Sequence, residues 1–92
     1  VVITNPTHIA VAIKYEEEEN GAPKLVAKGA DHLAVKIKEK AKENNIPIVE
    51  NKPLARMIYK EVELEKEIPH QMYQAVAEIL VAIYRMKDKK KN

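Results

Sequence analysis

The chain opens VVITNPTHIAVAIKY, a run of β-branched and apolar residues that would read as one strand but for the turn Asn5-Pro6-Thr7-His8 in its middle. The turn splits it into a first strand before Asn5 and a second from Ile9 to Tyr15. EEEENGAP follows, acidic and turn-rich; Asn20-Gly21 is a hairpin signal, and KLVAKG supplies a short partner strand ending at Gly29. From Ala30 to Asn44 the period lengthens: Leu33, Ile37 and Ala41 fall four apart with Ala30 and Ala34 beside them, and lysines and glutamates lie opposite. That pattern predicts an amphipathic helix with Asp31 at its N-cap. Asn44 and Asn45 end it, and Ile46-Pro47-Ile48-Val49 is a short apolar run of strand type. Lys52-Pro53 opens a second helix with proline at its first position, and Leu54, Met57 and Ile58 form its expected buried stripe. EVELEKE reads as a connection, and Pro69 starts the longest helix, in which Tyr73, Val76, Ala77, Leu80, Ile83 and Tyr84 repeat at helical spacing to about Met86.

The predicted order is β, β, β, α, β, α, α. It implies an α/β fold: a small mixed four-stranded sheet packed with helices, its hairpin-linked strands antiparallel and its helix-crossed strand parallel. Ninety-two residues make a single domain with one core and no internal repeat.

Composition narrows the chemistry. Apolar residues are 46% and charged residues 33%, the mix of a soluble globular domain. No apolar run reaches membrane-spanning length and no signal segment opens the chain, so the chain itself reads as cytosolic. With no cysteine there are no disulfides, thiol nucleophiles or Cys-based metal sites. His32 and His70 have no partner at metal-ligand spacing and read as surface or cap residues; no metal or cofactor is expected. The net charge of +2 gathers mostly in the tail MKDKKKN, a solvated end rather than a nucleic-acid footprint.

The Asn5-Pro6 bond carries distinctive chemistry. In most Asn-X sequences the following backbone nitrogen attacks the asparagine side-chain carbonyl, but Pro6 has no N–H and closes that route. The reverse attack remains: the Asn5 amide nitrogen adds to its own backbone carbonyl and expels the proline nitrogen, cutting the chain. Holding attacker and carbonyl in near-attack geometry recovers roughly 7–11 kcal/mol in the best intramolecular cases. Pro6 favours the second turn position, and Thr7 after it would be strained if the turn required a positive φ. His8 is the nearby side chain of a type that exchanges protons near neutrality, able to accept a proton from the Asn5 amide or deliver one to the Pro6 nitrogen; Thr7 offers a hydroxyl and an N–H. On pattern alone the same residues also fit a plain turn. Asn5-Pro6-Thr7 is not a glycosylation sequon, because proline occupies its middle position.

NPTHIAVAIKY, APKLVAKG, NNIPIVENKPLARMIY and IPHQMYQAVAEIL together resemble the cytoplasmic C-terminal domain of the FlhB/YscU family, switch proteins of flagellar and virulence type III secretion machines. The resemblance runs from Val1 to about Met86, and APKLVAKGAD is closer to the flagellar branch than to the injectisome branch. It implies autocleavage between Asn5 and Pro6 carried by Asn5, Pro6, Thr7 and His8, with residues 1–5 an N-terminal strand fragment, 6–86 the main body and 87–92 a basic tail. It further implies a single-turnover event, not an enzyme, that changes export from rod-and-hook-type to filament-type substrates. The implied partners are export-apparatus membrane components, a secreted hook-length control protein, export substrates and the ATPase complex. Family members carry a membrane region and linker upstream of the motif, which would place this domain on the cytoplasmic side of the bacterial inner membrane.

Two other stretches carry candidate functions. In PLARMIY, Arg56 is either a partner contact or, the preferred reading, one half of a salt bridge within the domain. Glu16 to Glu19 reads as a solvated loop, with docking of basic export substrates as the lesser alternative, and Tyr73 and Tyr84 read as packing residues. Two rivals to a self-cleaving switch stand beside it: an uncleaved docking module, and a small hydrolase using His8 with nearby glutamates, for which no second catalytic group is placed.

Overall fold

The computed structural model describes residues 1–15 and 22–91, with side chains described through Met86. Its strands are β1 (Val2–Asn5), β2 (Ile9–Lys14), β3 (Lys24–Ala30) and β4 (Ile48–Glu50); its helices are α1 (His32–Glu43), α2 (Lys52–Glu61) and α3 (His70–Lys91). The four strands form one sheet in the order β3-β2-β1-β4. β1 pairs antiparallel with β2, β2 antiparallel with β3, and β1 parallel with β4, as the connection lengths require. Asn20-Gly21 and the acidic run Glu16 to Glu19 lie outside the described residues.

β1 and β2 occupy the centre of the sheet and are covered on both faces, which is why Val2, Ile3 and the run IAVAI are apolar without alternation and Thr4 is buried with them. Their odd-numbered residues Ile3, Val11 and Ile13 join Leu25, Leu54, Ala55, Ile58, Val62, Ile68, Met72 and Val76 in the main core beneath α2 and α3. On the other face Val2 and Ala10 meet Ala34 and Ala41 of α1, with Ala12, Ile37 and Ile48 packed around them. Each strand therefore sends neighbouring residues into different cores, as the two-residue period dictates.

The helix boundaries follow local chemistry. Pro53 lies in the first turn of α2 and Asn51 caps it, its Oδ1 accepting the Leu54 N–H at 3.2 Å. α1 ends at Asn44, where Asn45 turns left-handed with φ 57° and the Ile46 N–H donates back to the Ala41 carbonyl at 2.8 Å.

Several expected faces hold only in part. In α1 the expected Ala34 and Ala41 are buried but Leu33 is exposed; in α2 the expected Leu54 and Ile58 are buried but Met57 is exposed and Ala55 buried in its place; in α3 the expected Val76 is buried, joined by Met72, while Tyr73 and Tyr84 are exposed. Small residues win where a helix lies close against the sheet. α3 also continues to Lys91, taking in most of the expected tail from 87. Asp31 stands at the N-cap of α1 but makes no capping hydrogen bond through its side chain.

A candidate self-cleaving turn

The pairing of β1 with β2 runs from Val2↔Ala12 to Asn5↔Ile9, leaving Pro6, Thr7 and His8 as the connection. Asn5 is thus the last residue of a central strand and His8 directly precedes the next. The His8 backbone N–H donates to the Asn5 carbonyl at 2.9 Å, closing a β-turn with trans Pro6 and Thr7 at its central positions. Proline belongs at the first of these because its ring presets φ. Thr7 keeps a negative φ, so the strain considered for it is absent.

Two bonds from outside grip the turn. The Lys38 ammonium, on α1, donates to the Pro6 carbonyl at 2.7 Å, and the Asp31 N–H donates to the His8 carbonyl at 2.8 Å. Asp31 reaches that carbonyl in an unusual backbone conformation, φ 50° and ψ −111°, so local strain sits at the β3–α1 junction beside the turn rather than within it. The His8 Nδ1 lies 3.9 Å from the Asp31 carboxylate; both side chains are largely exposed, at 66% and 82%, so this pair contributes little to stability.

Asn5 and Pro6 are half-buried, Thr7 and His8 exposed. Among the described residues no hydrogen bond engages the Asn5 side-chain amide, whose nitrogen is uncommitted, while the carbonyl it would attack already accepts an N–H. Addition to a carbonyl places negative charge on its oxygen, and a fixed donor there stabilises that charge as it develops. The four motif residues are therefore brought together with an oxygen acceptor already polarised.

The remaining candidates lie elsewhere. Arg56 is exposed on α2, on the opposite sheet face from α1, and the internal salt bridge expected for it does not form with any of the described residues. His32 and His70 are exposed, and no cluster of three or more His, Asp or Glu side chains suited to a metal ion occurs among the described residues. Sequence reasoning passed over Lys38, which among the lysines of an amphipathic helix carries no distinguishing mark; only the fold brings it to Pro6, 32 residues away in the chain.

A sequence model of the FlhB HrpN YscU SpaS family matches residues 1–83. The chain belongs to the FlhB/YscU family. Flagellar biosynthetic protein FlhB of Bacillus subtilis is 52% identical over 89 residues, 97% of this chain and 25% of that protein. The chain spans about a quarter of the length of the curated FlhB/YscU relatives it matches. The crystal structure of the cytoplasmic domain of FlhB from Shewanella putrefaciens superposes with a TM-score of 0.85 at 43% identity, covering 90% of this chain and 68% of that one. An EscU C-terminal domain with an asparagine mutated to alanine gives a TM-score of 0.81 at 32% identity over 84% of this chain and 77% of that one. The mixed sheet with three helices is thus the FlhB/YscU C-terminal domain fold, as the resemblance implied. Among the described residues no helix is long and apolar enough to cross a membrane.

Proposed function

We propose that this chain is the cytoplasmic domain of a flagellar type III export switch that severs its own backbone once, between Asn5 and Pro6. The observation that carries the proposal is the His8 N–H seated on the Asn5 carbonyl inside an Asn-Pro turn anchored at both ends by the sheet. The Asn5 Nδ2 forms a bond to the Asn5 carbonyl carbon, charge gathers on the oxygen facing the His8 N–H, and the bond to the Pro6 nitrogen breaks. One amide proton leaves Nδ2 and one arrives on the Pro6 nitrogen. The products are a five-residue end closed as a succinimide and a body beginning with the free imino group of Pro6. His8, exposed beside the turn, relays that proton, and Thr7 completes the turn.

Cleavage alters the surface around the turn, and this change shifts the exporter from rod-and-hook-type to filament-type substrates. Its partners are export-apparatus membrane components, a secreted hook-length control protein, export substrates and the ATPase complex, and the whole protein sits in the bacterial inner membrane. Higher identity to FlhB than to EscU supports the flagellar branch over the injectisome branch. The reaction is stoichiometric, so the domain is no enzyme in the turnover sense, and it needs no cofactor.

Mass spectrometry under denaturing conditions tests the proposal. The wild-type chain yields a body starting at Pro6 and a released end lighter by one water than the free pentapeptide, while Asn5→Ala stays whole. A folded wild-type chain that remains intact on long incubation leaves an uncleaved docking module as the reading.

A further inference from the structure

We infer that Lys38 is a positioning residue for the cut: by holding the Pro6 carbonyl it fixes the leaving-group side of the Asn5–Pro6 bond. The inference rests on the self-cleavage proposed above. Proline's ring sets φ at Pro6 but leaves the peptide plane that follows free to rotate. The Lys38 ammonium at 2.7 Å from the Pro6 oxygen pins that plane, and with it the ring whose nitrogen must depart. The contact is charge-assisted and partly buried, the kind of hydrogen bond that holds a geometry.

Its placement on α1 is specific. Ala34 and Ala41, one helical turn to either side, are buried against the sheet, which puts Lys38 on the inner edge of the helix, half-buried, whereas Lys36, Lys40 and Lys42 are exposed. α1 thus meets the turn at two points, through Lys38 on the Pro6 carbonyl and through the strained Asp31 at its own start on the His8 carbonyl. With the His8 N–H on the Asn5 carbonyl, Thr7 is the one residue of the turn whose carbonyl has no such partner among the described residues. An attack along one line on a carbonyl with a fixed leaving group needs that restraint, since small misplacements of reacting atoms slow intramolecular reactions steeply.

The test follows cutting over time by denaturing mass spectrometry after the full chain is diluted from denaturant, in wild type, Lys38→Met and Lys38→Arg, with thermal unfolding measured beside it. Lys38→Met is expected to slow the cut about tenfold, the scale of one charge-assisted hydrogen bond. Lys38→Arg is expected to restore most of the rate, and both variants to stay folded at the temperature of the assay. A rate that falls only in proportion to lost stability, or without recovery in Lys38→Arg, assigns Lys38 a structural role and overturns the inference. Wild-type speed in Lys38→Met overturns it too while leaving self-cleavage standing; a wild type that never cuts removes both. In the Asn5→Ala chain, acetic anhydride is expected to modify Lys38 several-fold more slowly than Lys36. Equal labelling of the two means that the grip is not held and sinks the inference independently of any cut.

Discussion

Asn51 joins two elements by two bonds. Its N–H extends the β1–β4 edge by donating to the Thr4 carbonyl at 2.9 Å, and its Oδ1 accepts the Leu54 N–H at the start of α2. Asn51→Ala keeps the first bond and loses the second, so it is expected to cost about 1 kcal/mol in urea unfolding, with Asn51→Ser recovering most of that loss. Asp31 holds the same kind of position before α1 but turns its backbone into φ 50° to deliver its N–H to the His8 carbonyl. Capping chemistry is written in local sequence, and both residues are of the right type for it. What separates them is a contact with a residue far away in the chain, which local pattern does not encode.

The seat of α1 is made of small residues. A methyl group added at Gly29 would come within 2.6 Å of the Leu33 Cβ, a position fixed to the helix backbone that has no rotamer by which to escape. Gly29→Ala is therefore expected to push α1 off the sheet and destabilise the domain by about 1–3 kcal/mol in thermal or urea unfolding. Because α1 carries Lys38, the same substitution is expected to slow the cut more than its loss of stability alone accounts for. Periodicity located α1, α2 and α3, since spacing of apolar residues is a local property. The buried stripe was misread at Leu33, which is exposed while Ala34 of the same expected face is buried, and at Met57, which is exposed while Ala55 is buried. Hydrophobic size favours the larger residue, yet close approach of helix to sheet admits only the smaller, and that distance is set by tertiary packing.

Across the whole molecule, the mixed sheet was legible because short connections force antiparallel pairing and a helical crossover forces a parallel pair. The motif turn was legible as well, from four adjacent residues. The central place of β1, between β2 and β4, followed from no local signal and comes from the long return of the chain through α1. That place has a measurable effect. After a cut at Asn5–Pro6, β1 remains in the sheet by non-covalent pairing alone, so the melting temperature of the cut domain is expected to fall on dilution wherever the two pieces separate on unfolding. The intact Asn5→Ala chain is expected to melt at the same temperature at every concentration.

β1 is flanked on both sides along its length, antiparallel to β2 and parallel to β4, and the proposed cut lies at the end opposite Val1. A force applied through Val1 to the severed domain would draw the strand lengthwise from its slot, loading both ladders in shear so that their bonds resist together instead of peeling one by one. Such a joint is stiff under modest tension and fails abruptly, which makes the position of one strand in the sheet the setting of a mechanical fuse.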